Sequence, residues 1–533
     1  MTKQAFTYTD LYACAFALYL ICHTVGTSDN LMDKNDWLIW GCVALCYAAV
    51  RCLTQSCQYK LLGIIAITGF IQSLIAWGQF CGWAESNHNN FPVTGSFKNP
   101  APLAGYIGAC LILIVEFMSL CYKENRKTIF TLLIPAAASI SGIIILSYSR
   151  AAWIALLISL IHLLARYRKI RYRHLFPVAV LCLSCLAALY FLKKESADAR
   201  LFIWKNSGQL LHTSPLTGSG VNTFASRYMY TQAEYFANHP DSPYKLKASD
   251  NSHAFNEYLR IIVEYGIIGL ILLFLLFRSM SFFHPVLSFY CIFAFFSYPL
   301  EITPIILLVT VMAASYPGKN ICYYPRYILI TICLSVSCLL SYRAWRFKSE
   351  ERELKSMIHE YGCLPGAGLE DKLFGYYPCY KNNHIYIASC AMQFYKNKSY
   401  PKAEVMLRRA SVLFPSSRIL YDLGNCCHRL QKYEEAERFL SIACNMAPGH
   451  VLPQYYLFRH YAETGQTHKA LNSAHTIIHS KFKQEGSTAL QVKHLVKEYL
   501  NKTKEGGERQ LKNFNPKKEC ILYQQKQSSY EKE

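Results

Sequence analysis

Eleven apolar blocks, each close to the length that crosses a bilayer as a helix, set the first limit on what this chain can fold into. They fall at about 8–25, 36–52, 60–82, 101–122, 128–147, 150–166 and 174–192. After a long polar stretch come about 258–278, 283–298, 301–316 and 325–342. A hydrocarbon layer of roughly 30 Å offers backbone amides no water, so runs of this kind are helices. The prolines in Ser297-Tyr-Pro-Leu-Glu-Ile-Thr-Pro304 make the blocks on either side a candidate broken hairpin, so the expected number of spans is about 11–12. Met1-Thr-Lys3 before the first block carries no small-residue cleavage pattern, and that block is read as a retained helix.

Lysine and arginine order the spans. With the N-terminus inside, the inner joints hold Arg51 and Lys60, then Lys123, Arg126 and Lys127, then Arg166, Arg168, Lys169, Arg171 and Arg173, then Arg278, Lys319 and Arg326. The outer joints carry only Lys34 among three aspartates, Lys98 and Arg150. This is the positive-inside distribution, and it places the polar stretch 193–258 outside. The formal charge of +21 raises nucleic acid as a partner. The basic residues, however, are not gathered on one soluble domain with a reading motif, so that class is set aside.

The stretch 193–258 is long for a connection in a compact membrane protein, which marks it as a working site or as disordered. Trp204, Phe224, Tyr228, Tyr230, Tyr235 and Phe236 argue for a packed layer. Beyond Arg343 the chain turns polar: a linker at 343–376, helical repeats at 377–480 and a basic tail at 481–533 that frays. The repeats rest on Tyr400-Pro-Lys-Ala-Glu, Tyr433-Glu-Glu-Ala-Glu and Thr467-His-Lys-Ala-Leu at a period near 33–34. Ala403, Ala436 and Ala470 hold one position, and Pro415 and Pro448 end successive units. That is the tetratricopeptide pattern, a short α-solenoid that binds a peptide or partner and performs no chemistry. The fold class is therefore all-α: a polytopic membrane bundle over 1–342 with a C-terminal helical solenoid.

Most of the 22 cysteines lie in apolar blocks, where packing explains them. Cys182-x-x-Cys185 has no second ligand pair, so zinc is not expected there, and pairing of Cys363 with Cys379 stays open.

Four stretches that can carry chemistry all fall on the outer side. Thr94-Gly-Ser-Phe-Lys-Asn-Pro-Ala-Pro turns into the fourth span, and a helix N-terminus beside Lys98 suits an anion as readily as it makes a plain turn. Arg150, in Ser147-Tyr-Ser-Arg-Ala-Ala-Trp153, is costly at an outer joint unless it is used or snorkels to the headgroups. Arg200 and Trp204 stand at i and i+4 on one helix face, ahead of Pro215-Leu-Thr-Gly-Ser-Gly220. His253 and Glu257, in Asp250-Asn-Ser-His-Ala-Phe-Asn-Glu, meet at helical spacing, with the carboxylate orienting the imidazole.

The order Gly-Ser-Phe-x-Asn-Pro, Ser-Arg-Ala-Ala-Trp, Arg-Leu-x-x-Trp with Pro-Leu-x-Gly-x-Gly, then His-Ala-x-Asn with Glu-x-Gly-x-x-Gly resembles the O-antigen ligase family over roughly residues 60 to 316. That family comprises multi-pass transferases of the bacterial inner membrane: lipopolysaccharide O-antigen ligases, related polymerases and protein O-oligosaccharyltransferases. The resemblance implies transfer of a glycan from undecaprenyl pyrophosphate to lipid A core, a glycan or a protein at the periplasmic face, with neither metal nor nucleotide cofactor. Arg150 and Arg200 match its arginine positions, and His253 lies in its histidine motif; these are the expected catalytic residues. Lys98, Asn99, Trp204, Asn256 and Glu257 are the expected substrate-binding residues, and the repeats are a separable site for a protein partner. Phe255 departs from the family, which often has a second histidine there; the base is then His253, with Glu257 and Glu234 as alternatives.

Two other classes fit less well. A transporter wants an inverted repeat and charged or broken helices at mid-bilayer, and neither is evident. A tethered scaffold needs far fewer spans.

Overall fold

Caps set where the apolar helices begin. The computed structural model describes residues 3–27, 31–89, 91–168, 194–281, 283–483 and 485–511. Thr7 and Asp10 form a capping box at the start of α1 (Tyr8–Gly26), and Asp33 with Asp36 forms another at α2 (Lys34–Cys52). After α3 (Gln55–Phe80), Asn99 caps α4 (Pro100–Lys123), whose first-turn prolines need no hydrogen bond. Next come α5 (Lys127–Leu146) and α6 (Arg150–Arg168), then, beyond the polar stretch, α9 (Glu257–Ser279). The expected span at 174–192 lies outside the described residues, as do most of the joint after Arg168 and the Cys182–Cys185 pair. Among the described residues, α1, α3, α4, α5, α9 and α12 (Arg326–Cys363) are long and apolar enough to cross a membrane.

The blocks at 283–298 and 301–316 form the broken hairpin. They become α10 (Pro285–Phe293) and α11 (Thr303–Ser315), of 9 and 13 residues. At 1.5 Å per residue these rise about 14 and 20 Å, so neither crosses alone. Their aromatic side chains need flat partners: a Cβ on Gly105 or Gly108 of α4 would come within 2.8 Å of Phe293 or 2.7 Å of Phe289. α4 is the centre of this bundle, with Leu103, Ala104, Ile107, Ala109 and Ile112 fully buried.

The alternating chain direction puts two chemically different ends on the bundle. At the basic end, β1 (Lys3–Thr7) pairs antiparallel with β2 (Asn320–Pro325), a small sheet that an all-α reading omits. Above it Arg51 Nε binds Asp10 Oδ1 at 2.9 Å, and the Tyr47 hydroxyl donates to the same oxygen. The other end carries α7 (Lys194–Ser207) and α8 (Thr223–Asn238), so the stretch 194–258 is a packed layer.

The polar half of the chain continues that layer. α12 runs 38 residues without a break through Arg343, where a linker was expected. Its exposed side is held by pairs one turn apart, Lys355–Glu351 at 2.7 Å and Arg346–Glu350 at 3.3 Å, while Leu354, Met357, Ile358 and Tyr361 are buried. After α13 (Ala367–Gly375) and α14 (Tyr377–Tyr380) come three antiparallel helix pairs. They are α15 (His384–Lys396) with α16 (Tyr400–Leu413), α17 (Ser417–Arg429) with α18 (Tyr433–Met446), and α19 (Val451–Glu463) with α20 (Thr467–His479). Ala403, Ala436 and Ala470 are fully buried at the crossings, so the period read from the sequence marks the helix pairs. The tail does not begin at 481: α21 (Ser487–Leu511) buries Ala489, Val492, Val496 and Tyr499, with Tyr499 edge-on to Phe458 at 5.0 Å. Cys363 and Cys379 are free thiols.

One apolar core joins these helices to the outer layer, where Phe224, Tyr228 and Met229 share a cluster with Leu420, Tyr421 and Met446. The Gln232 side chain donates to the Met446 and Ser249 carbonyls at 2.5 and 3.2 Å, and the Tyr230 hydroxyl donates to Ser411 O. Asp250 accepts from both the backbone amide and the hydroxyl of Ser417 at 2.7 Å. The helix pairs therefore lie on the same side of the bundle as the stretch 194–258.

Candidate functional site

On α7, Arg200 and Trp204 lie one turn apart and reach the same strip of chain beyond α10. Arg200 Nη1 donates to Phe296 O at 3.0 Å, and the Trp204 ring lies 6.3 Å from the Phe296 ring. Trp204 Nε1 also donates to Ala254 O at 3.1 Å, which ties α7 to the segment carrying His253. The Arg200 guanidinium sits 5.0 Å above the Phe255 ring. Burial, helped by the nearby charge of Arg150, pushes the Arg200 pKa down to about 10. Arg150 opens α6 and donates from Nη2 to Ser196 Oγ at 3.3 Å, one turn from Arg200. Two cations from separate elements thus face one place, an arrangement that suits an anion.

His253 does not meet Glu257. The segment before α9 is not helical: Asn256 is the cap, its side chain accepting from Leu259 N at 3.1 Å, and Phe255 adopts φ +49. The spacing that would bring positions 253 and 257 together is therefore absent. The partner of His253 Nδ1 is Glu301 Oε2, at 2.6 Å, on the short turn Pro299–Glu301. The imidazole stacks on Tyr298 with centroids 4.1 Å apart and planes 3° from parallel. Phe255, in a left-handed conformation rare for a bulky residue, stands edge-on to both rings and beneath Arg200.

Glu301 is held in turn. Its other oxygen lies 3.3 Å from Arg260 Nε. Arg260 also binds Glu257 and, at 3.0 Å, Glu264, its neighbours along α9. Glu257 is 2% exposed and accepts from Leu300 N, so it fastens the 299–301 turn and does not reach toward a substrate. Glu264 accepts from Phe224 N at the start of α8. Burial alone would raise the Glu301 pKa, but Arg260 and the hydrogen bond from His253 outweigh it and hold the group below the ordinary carboxylate range.

Glycines allow the two halves to meet. Gly266 interrupts α9 with φ +67, which frees backbone groups to pair with the turn Pro215–Gly220. Ser219 N and Gly220 N donate to the Val263 and Glu264 carbonyls at 2.9 and 3.0 Å, and Ile267 N donates to Pro215 O. A Cβ on Gly266 would lie 2.1 Å from Leu216 O. The Pro-Leu-x-Gly-x-Gly and Glu-x-Gly-x-x-Gly motifs are thus two sides of one joint.

The structure brings Arg150, Arg200, Trp204 and His253 together and makes Asn256 and Glu257 supports. Asn99 caps α4, and Lys98 is exposed on the turn before it. Glu301, Tyr298 and Arg260 went unread in the sequence. The available signal was a glutamate between two prolines in an apolar stretch, and an arginine at i+3 and i−4 from two glutamates on a membrane helix. With Nδ1–H donated to a carboxylate, His253 Nε2 is the nitrogen left to take a proton, and the side chain is 35% exposed.

Residues 135–274 match the family model described as O-Antigen ligase. The match runs from α5 into α9, so it contains both arginines, His253 and the Gly266 joint and stops short of Glu301. No curated protein matches the chain.

Proposed function

We propose that this multi-pass membrane glycosyltransferase of the O-antigen ligase type, whose ligase domain is matched over residues 135–274, moves a glycan from undecaprenyl pyrophosphate to an acceptor hydroxyl. The observation that carries the reading is the convergence of Arg150 and Arg200 beside an imidazole whose Nδ1 is held by Glu301. The reacting groups follow from that set. An acceptor oxygen attacks the anomeric carbon of the donor sugar, and the bond from that carbon to the pyrophosphate oxygen breaks. The leaving pyrophosphate takes the electron pair, and its charge grows where two guanidinium groups can bind it with paired hydrogen bonds. The proton of the acceptor hydroxyl passes to His253 Nε2, and the imidazolium formed is stabilised by the Glu301 carboxylate. Tyr298 and Phe255 hold the ring in plane. The face bearing the stretch 193–258 is taken as periplasmic on the lysine and arginine distribution, in a bacterial inner membrane.

The test is transfer by purified protein in detergent from an undecaprenyl-pyrophosphate-linked glycan. Arg200→Ala and Arg150→Ala are expected to remove transfer while the protein still inserts. The lysine variants should rescue poorly, because an ammonium cannot form the two-pronged phosphate contact. Full activity in both alanine variants would end the reading.

A further inference from the structure

Between the outer layer and the first two helix pairs lies a cleft of about 670 Å³ that the reaction above does not use. This falls within the roughly 300–1,000 Å³ of ligand pockets. One wall is Asp250, Asn251 and Ser252, the residues directly before His253. The other is the facing surface of α15, α16 and α17, where Ala388, Met392, Leu407, Ala410 and Phe414 make an apolar floor. We infer that this cleft binds an extended, uncharged acceptor polypeptide and presents one of its serine or threonine hydroxyls to His253. The inference rests on the transferase reading and adds the acceptor class to it.

Continuity is the first argument. Consecutive Cα atoms are 3.8 Å apart, so a chain lying along Ser252 is within one residue of the proposed base. Asn251 links wall and base: its side chain donates to His253 O at 2.7 Å and accepts from His253 N at 3.4 Å. Asp250 locks the same wall to the start of α17 through Ser417.

The second argument is main-chain chemistry. The segment 249–254 is neither helix nor strand, and Ser252 is exposed, with its backbone N–H and C=O making no hydrogen bond among the described residues. An extended peptide can pair with such a segment while its side chains enter alternate pockets. The apolar floor suits apolar side chains.

Charge is the third. Two carboxylates, Asp250 and Asp422, line the cleft with one guanidinium, Arg418, which lies 3.9 Å from Asp422, so the cleft offers no net positive field. Lipid A core and acidic glycans carry phosphate or carboxylate and would call for clustered arginine or lysine. A neutral peptide does not.

Binding is separable from transfer, and the experiment uses that. A fluorescein-labelled peptide, Ala-Val-Thr-Ala-Leu, is titrated into full-length protein carrying His253→Ala, which needs no chemistry to respond. The same peptide, and separately lipid A core oligosaccharide, are offered as acceptors to the unmodified protein. Saturable binding and glycosylation of the threonine are expected, with at least a tenfold loss of both in Met392→Arg and in Ala388→Trp. Both variants should still hydrolyse donor slowly in the absence of acceptor. Two substitutions on different turns guard against misfolding, which the melting temperature checks. Transfer to lipid A core with no peptide binding would overturn this inference and leave the transferase reading intact. Peptide binding unchanged in both cleft variants would also overturn it. Peptide binding with no transfer from the lipid donor to any acceptor would instead count against the reaction.

Discussion

His253 and Glu301 are 48 residues apart in sequence and 2.6 Å apart in the fold, and the contact decides which imidazole nitrogen can act as a base. Replacing the carboxylate by an amide keeps the shape and removes the charge that stabilises the imidazolium. Glu301→Gln should lower kcat by about 10- to 100-fold, a share of the ~10²–10⁴ that general acid–base catalysis contributes, with KM for the donor little changed. The pH profile of kcat should move with it, which a purely structural role for Glu301 would not produce. Gly266 is the second decisive residue. Alanine at φ +67 costs about 1–3 kcal/mol in the backbone alone, and its Cβ would overlap Leu216 O at 2.1 Å. Gly266→Ala should therefore melt lower and lose transfer, because Glu257, Arg260 and Glu264 are placed by that joint. A melting temperature equal to that of the unmodified protein would remove the joint from the account. Arg200 and Trp204 were readable as a pair because helical spacing is local. Glu301 was not, because nothing local ties a glutamate between prolines to a histidine on another segment.

At the scale of elements, the apolar blocks among the described residues became helices because length and hydrophobicity suffice in lipid. The i, i+4 rule misplaced His253 because the helix begins at Glu257. The helix pairs contain a pH-sensitive contact of their own. His428 Nδ1 lies 3.0 Å from His460 Nδ1 across α17 and α19, and His428 Nε2 lies 2.7 Å from Glu463. Burial first, then the neighbouring His428, push His460 down to about 4, against the opposing pull of Glu437 and Glu463. An unfolded histidine takes its proton near 6.5, so between roughly pH 6.5 and 4 the unfolded chain binds more protons than the folded one. Stability of α17–α19 should be full above that window and fall as pH drops through it. Hydrogen exchange of these helices, corrected for intrinsic rates, should show weaker protection at pH 5 than at pH 7, and His460→Gln should flatten the difference. Equal pH dependence in the variant would assign the effect elsewhere.

For the whole molecule, the repeats read as a separable module, and the core says otherwise. Phe224, Tyr228 and Met229 of the outer layer are buried by helices of the C-terminal half. Cutting the chain after Tyr380 should uncover that surface, so α8 should become a protease target and transfer to every acceptor should fail. A truncated protein with α8 still protected would restore the independent module. The order of the apolar helices among the described residues and the period of the helix pairs were legible in the sequence alone, because each follows from local pattern: apolar length and recurring alanine. The identity of the partner of His253, the bend at Gly266 and the core shared by the stretch 194–258 and the helix pairs were decided by tertiary structure. Those contacts join residues far apart in the chain, and whether they form depends on the packing that brings the segments together.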